Sequence, residues 1–289
     1  MTRRALRDYF TLTKPSITRL VVATTAAGFY AGWSGPLDWA LLVHLLLGTL
    51  LVASGTNALN QWWERDVDAR MHRTRERPLP AGRLAPRNAL RFAVAISVIG
   101  VGYLALRVNV LTALLAAATL LSYVLFYTPL KKRTVWNTLV GAVPGALPIL
   151  GGWTAATGRL GAGGWALFLV VFLWQMPHFF ALAWMYRDDY RRGGLRMLAV
   201  EDPDGRRTGR NAVAYATALL AASLLPALLG VAGPAYAVGA TILGLVFLAA
   251  SGRMLAAPSG TTARRLFLAS VAYLPALLLA LVLDRVAPH

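Results

Sequence analysis

Nine mostly apolar stretches divide this chain, at about 17–34, 39–60, 88–106, 109–127, 137–155, 163–185, 211–230, 234–251 and 264–283. Each is long enough to cross a hydrocarbon layer as a helix, which takes about 20 residues. No other feature constrains the fold as much. A membrane interior offers backbone amides and carbonyls no water, so a chain that crosses it repeatedly must close its hydrogen bonds within each segment. Buried helices of a soluble protein would need polar faces to meet water, and nine such runs leave none. The expected fold class is all-α: a polytopic membrane protein with nine transmembrane helices in one integral-membrane domain over residues 1–289. The first run follows basic residues as a signal peptide would. It is too long for an apolar signal core and shows no convincing cleavage site, so it reads as a retained helix.

The charges say how the helices are oriented. Only 14% of residues are charged, against about 25% in a soluble domain. The net charge is +17, which in a soluble chain would point to nucleic acid. Here the charge is confined to short segments between apolar runs, so it reads as topology, and no nucleic-acid partner is expected. With nine spans, about 26 of the 29 Lys and Arg fall on the side that holds the N-terminus and the loops after spans 2, 4, 6 and 8. Only Arg107, Arg159 and Arg285 fall on the other. The positive-inside rule puts the rich side in the cytoplasm and the C-terminus outside; the expected location is a prokaryotic-type cell inner membrane. The absence of cysteine excludes disulfides and thiolate metal sites. The two long cytoplasmic loops follow spans 2 and 6 and both mix acids with arginines. That spacing suggests two four-helix halves, about 17–127 and 137–251, with a ninth helix at about 264–283.

The first of these loops opens with NQWWERDVDARMHRTRERPLP, Asn60 to Pro80. If span 2 continues as helix through Asp68, then Asn57, Glu64 and Asp68 fall within about 40° of one another, and Asn60 about 60° from Asn57. This is one polar stripe with carboxylates four residues apart. Asp66 points away, toward an Arg partner. Oxygen ligands at this spacing suit a hard cation such as Mg²⁺, which takes one or two carboxylates, keeps waters and shares a substrate phosphate. Arginines follow at 73, 75 and 77, and a planar guanidinium matches phosphate oxygens two at a time. Carboxylates for a metal beside arginines for phosphate describe a diphosphate site. The alternative is that arginines fix topology against anionic headgroups; Arg75, Arg83, Arg87 and Arg91 fit that better, Arg73 and Arg77 the diphosphate.

NQWWERDVD resembles the NxxxDxxxD signature of the UbiA superfamily of intramembrane prenyltransferases, with Glu64 in place of the middle Asp. YTPLK, Tyr127 to Lys131, is similar to that family's YxxxK motif. Four segments in order, TKPSIT, NALNQWWERDVDARMHRTRERPLP, YTPLKKRTVWNTLVGAVPGALPILGGW and WQMPHFFALAWMYRDDYRRGGLRML, together resemble its haem-farnesylating branch from about Lys14 to Leu198. The resemblance implies a nine-helix UbiA-type bundle with a central cavity open toward lipid. It implies farnesyl diphosphate and haem B as substrates, Mg²⁺ as metal, and haem O as product, received by a haem A synthase or oxidase assembly partner. By motif position, Asn60, Glu64 and Asp68 carry over as metal and catalytic residues, and Arg73, Arg77 and Lys131 as diphosphate partners. The second motif departs: only Asp189 remains an acid in register, so it carries over as a further metal and catalytic residue, and the metal count, one or two, stays open.

His178, in WQMPHFF, reads either as a hydrogen-bonded structural histidine or as an axial iron ligand or haem-positioning group. Tyr127 reads as a ring that orients Lys131 or meets a cation, or as an interfacial anchor. His44 reads as structural. Two other functions compete. One is prenyl transfer to a quinone precursor or chlorin, against which HFFALAWMYRDDY lacks the early acid such members show. The other is transport of an anionic substrate, against which the acid-plus-Arg clusters lie at one face and not at the midplane.

Overall fold

The computed structural model describes residues 3–286. Nine long helices run through them. They are α1 (Pro15–Gly32), α2 (Trp39–Asp68), α3 (Pro86–Arg107), α4 (Val110–Leu130), α5 (Asn137–Thr157), α6 (Ala162–Met185), α7 (Arg206–Leu228), α8 (Pro234–Ala256) and α9 (Gly260–Leu283). All but α1 are long and apolar enough to cross a membrane by themselves. The 18 residues of α1 include Arg19 and the threonines at 18, 24 and 25, which lower its hydropathy. Among the described residues the only β pairing is an isolated bridge between Ala232 and Arg285.

Local chemistry sets several boundaries. Asp38 caps α2 through the Leu41 amide at 2.9 Å, and Asn109 caps α4 through the Thr112 amide at 2.8 Å. Ser259 and Thr262 form a reciprocal box at the start of α9. Inside the helices, hydroxyls return to carbonyls one turn back, as in Thr25 to Val21 at 2.9 Å and Thr56 to Val52 at 2.8 Å. That keeps them satisfied where no water is available.

The helices α6, α7, α8 and α9 close one ring, each packed on the next and α9 back on α6. The helices α1 to α5 close a second, with α5 returning to α1. The rings meet where α5 packs on α6 and α1 on α9. At the arginine-poor end Arg285 ties them, donating to the carbonyls of Tyr30 at 2.7 Å and Trp33 at 2.9 Å. The approach of α1 to α5 depends on missing side chains: a Cβ on Gly152 would stand 2.0 Å from the Thr25 carbonyl oxygen, and one on Gly28 2.0 Å from that of Ile149. Pro144 and Pro148 lie inside α5 without ending it. We expect Gly152→Ala to destabilise the protein by about 1–3 kcal/mol through overpacking. A lowered melting midpoint in detergent would show it; an unchanged midpoint would mean that this contact relaxes freely.

Two features position the site. First, α2 has 30 residues, about 45 Å of helix. Its apolar part exhausts the hydrocarbon thickness, and the last two turns carry Glu64 and Asp68 out to the arginine-rich rim. Second, α4 changes to a π-helical turn over Ser122–Tyr127. Within it Tyr123 and Tyr127, four residues apart on one side of the helix, meet ring edge to face at 4.9 Å.

Candidate active site

Five of the expected residues converge at the arginine-rich rim. Lys131 Nζ lies 2.8 Å from Glu64 Oε1. Arg77 donates to Asp68 Oδ2 at 2.7 Å. Asn60 donates to Thr128 Oγ1 at 3.2 Å. Glu64 and Asp68 are 8% and 1% exposed, so the two carboxylates depend on these cations for their charge balance. Burial by itself would push the Lys131 ammonium down; the Glu64 carboxylate outweighs it and holds Lys131 above the ordinary lysine range. Asp66 pairs with Arg65 at 3.8 Å on the exposed side of the helix.

The sequence reading missed one member. Lys14 donates from Nζ to Asn60 Oδ1 at 2.7 Å. Burial first, then the Arg77 guanidinium, pushes its pKa down to about 7. Lys14 is also the one non-glycine among the described residues with positive φ, at 47°. A left-handed lysine costs about 1–3 kcal/mol and persists only when its surroundings fix it. Here they do: Gln61 Nε2 grips the Leu12 carbonyl at 2.8 Å, Asn57 reaches that of Thr13 at 3.3 Å, and Asp8 holds Arg83 at 3.0 Å. The N-terminal helix Arg3–Leu12 is thereby docked so that the next side chains enter the site.

Arg73 and Asp189 make their contacts beside this cluster. Both Asp189 oxygens accept backbone amides of the loop after α2, from His72 at 3.0 Å and Arg73 at 3.2 Å, and one also accepts from Arg192. Burial would raise its carboxyl; these hydrogen bonds, led by Arg192, hold it below the ordinary range. The Arg73 guanidinium lies over the Tyr186 ring at 5.2 Å. Among the described residues no three acids or histidines converge as a ready cation cage.

The remaining lone pairs nevertheless fit a hard cation. Asp68 Oδ1 is buried without a hydrogen-bond partner. Glu64 Oε1 is paired with Lys131 Nζ at 2.8 Å. Asp68 Oδ1, with the Glu64 carboxylate one helical turn before it, suits an ion that takes one or two carboxylates, keeps its waters and shares a phosphate.

Below the rim lies a cavity of about 390 Å³. Asn57, Tyr123 and Tyr127 border it at the site, and its apolar body is lined by Leu115, Pro148 and Leu274 among others. Ile17 and Leu20 of α1 line it and are still 50% and 38% exposed, so it opens sideways toward lipid. The Tyr127 ring stands between site and cavity. Lys131 Nζ lies 4.5 Å from its centroid, and a Cβ on Gly141 would come within 2.5 Å of it. His178 lines the cavity from α6, its Nδ1 2.7 Å from Ser270 Oγ of α9. His44 lies apart, joining Tyr103 at 2.7 Å and Arg107 at 3.1 Å.

Residues 21–277 match the UbiA prenyltransferase family. The chain belongs to that family. It is 48% identical over 97% of its length to a protoheme IX farnesyltransferase of Solibacter usitatus, of which 99% is covered. It is 50% identical over 96% of its length to one of Salinibacter ruber, again with 99% covered. The fold agrees with solved structures at much lower identity. A digeranylgeranylglyceryl phosphate synthase superposes with a TM-score of 0.81 at 18% identity, covering 96% of this chain and 98% of that one. A UbiA homologue from Archaeoglobus fulgidus, solved with GPP and Mg²⁺, superposes with a TM-score of 0.66 at 15% identity, covering 95% and 99%.

Proposed function

We infer that this UbiA-family protein is a protoheme IX farnesyltransferase: it transfers the farnesyl group of farnesyl diphosphate to a vinyl group of haem B, with addition of water, to give haem O. The near-full-length identity to relatives of that name carries the substrate pair. The diphosphate-type rim at the mouth of an apolar, lipid-open cavity supports the chemistry. Transport is disfavoured by that placement, since the charged cluster lies at one end of the cavity.

In this reading Asn60, Glu64 and Asp68 hold a magnesium diphosphate, with Lys14, Arg73, Arg77 and Lys131 around the phosphate oxygens and the isoprenoid in the cavity. The metal, when bound, neutralises charge on the leaving diphosphate. Lys14, Arg77 and Lys131 do the same from fixed positions as the allylic C–O bond breaks and its electron pair leaves with the diphosphate. The π pair of the haem vinyl group forms the new carbon–carbon bond, leaving positive charge beside the porphyrin. Water supplies the electron pair that quenches it and gives up a proton. The Tyr127 ring faces the developing cation, and the cavity keeps water from the farnesyl cation before the vinyl group reaches it. Asp189 acts by holding the His72–Arg73 amides, and so Arg73, in place. His178 serves the haem, with Nε2 available to iron. The arginine-rich rim is cytoplasmic by the charge rule.

The test is turnover. Purified protein with haem B, farnesyl diphosphate and Mg²⁺ should yield a product heavier than haem B by one farnesyl group and one water, less the displaced proton, and EDTA should abolish it. Diphosphate release only with an aromatic acceptor, and no haem product, would move the chain to another branch of the family.

A further inference from the structure

His178 is held more tightly than a residue that merely fills a helix interface. Its ring lies between Trp174, stacked at 5.2 Å and 23°, and Phe267, at 4.9 Å and 30°. Nδ1 meets Ser270 Oγ at 2.7 Å. That hydroxyl lies 2.5 Å from the Phe267 carbonyl oxygen. The Trp174 indole N–H donates to the Ser270 carbonyl at 2.8 Å, tying α6 to this turn of α9.

The direction of these bonds decides the tautomer. A serine hydroxyl has one proton and two lone pairs. Two oxygens 2.5 Å apart repel unless a proton lies between them, and the Phe267 carbonyl has none, so the Ser270 proton points there. Ser270 Oγ can then only accept from the imidazole, which makes Nδ1 the protonated nitrogen and leaves the Nε2 lone pair free. Among the described residues no hydrogen bond engages Nε2, and the ring lines the cavity.

We propose that Ser270 is a positioning residue: it fixes His178 as the Nδ1–H tautomer so that Nε2 presents its lone pair to the iron of haem B. This rests on the haem reading of the cavity given above. Ser270 touches neither substrate. A histidine bound to metal commonly donates its other N–H to a protein acceptor, and removing that acceptor costs about 10–100-fold in affinity.

The test is haem binding to the full-length protein in detergent, followed by the Soret band, without farnesyl diphosphate. Ser270→Ala removes one oxygen from a packed site and should fold. We expect it to weaken haem B binding about tenfold or more and to shift the Soret band toward that of His178→Ala. The KM for farnesyl diphosphate should stay within about twofold, since no diphosphate contact changes. In a His178→Ala background the same substitution should cost nothing further. If His178→Ala alters affinity and spectrum but Ser270→Ala does not, this inference fails by itself. An equal loss from Ser270→Ala in both backgrounds also overturns it, because the residue then acts by packing. If His178→Ala leaves haem binding unchanged, the haem role of His178 falls and the inference with it.

Discussion

Asp68→Asn should lower kcat/KM by at least about 10³-fold, or about 4 kcal/mol of transition-state stabilisation, while the protein stays folded. Asp68 is 1% exposed. One of its oxygens is bound to Arg77 at 2.7 Å, and the other is the buried orphan assigned to the metal. Asparagine keeps the shape and a carbonyl for Arg77 but removes the charge that holds a divalent ion. The partner residue should behave differently. Arg77→Ala leaves the Asp68 carboxylate buried and uncompensated, which costs about 3 kcal/mol of stability. Asp68→Asn leaves a guanidinium whose side chain is 22% exposed and still within reach of water. Arg77→Ala should therefore melt well below Asp68→Asn, and the double variant should recover stability without recovering activity. Near-normal turnover of Asp68→Asn would sink the metal assignment. Parallel recovery of stability and activity in the double variant would reduce this pair to a structural ion pair.

How much of this was legible in the sequence depends on where each residue's partner lies. The long helices were legible because apolar length is a local property. The π-helical turn and the early start of α1 at Pro15 shifted boundaries without changing the count of long helices. Glu64 and Asp68 could be placed with Asn57 on one face by helix arithmetic, while Asn60 entered by its motif position. Their cations were half legible: Lys131 belongs to a motif, but its 2.8 Å approach to Glu64 depends on how α2 and α4 pack. Ser270 gave no local signal, being a serine in an apolar helix whose partner lies 92 positions away. Asp189 carried a motif position, yet the amides that occupy its oxygens lie 117 and 116 residues earlier, and no spacing rule encodes that. Lys14 was the largest omission. Its signal was a lysine before a proline at a helix start, which reads as an ordinary interfacial charge until docking of the N-terminal helix turns it inward.

Lys14 also makes farnesyl diphosphate binding depend on pH with a definite sign. Glu64 is paired with Lys131 and Asp68 with Arg77, while Lys14 donates to the neutral Asn60 at 2.7 Å. Lys14 is thus the surplus cation of the cluster, and a magnesium diphosphate, still anionic overall, is the ligand that matches it. With its pKa pushed down to about 7 by burial and Arg77, Lys14 is charged below that pH and largely neutral a unit above it. An anion binds the charged form, so affinity should be full below about pH 7 and fall about tenfold per unit above it. Folding stability should show the opposite trend. The unfolded chain holds that proton up to an ordinary lysine pKa of about 10.4, so between about 7 and 10 it binds more protons than the folded one, and this group raises stability as pH climbs. Lys14→Arg should flatten the alkaline fall in affinity, because a guanidinium stays charged throughout. Lys14→Gln should bind diphosphate about 10–100-fold more weakly at pH 6 and show no fall attributable to this group. The measurement is the dissociation constant for farnesyl diphosphate with Mg²⁺ across pH 6 to 9 for the three proteins. An alkaline fall of equal slope in Lys14→Arg would assign the titration to another group and return Lys14 to a structural role at the start of α1.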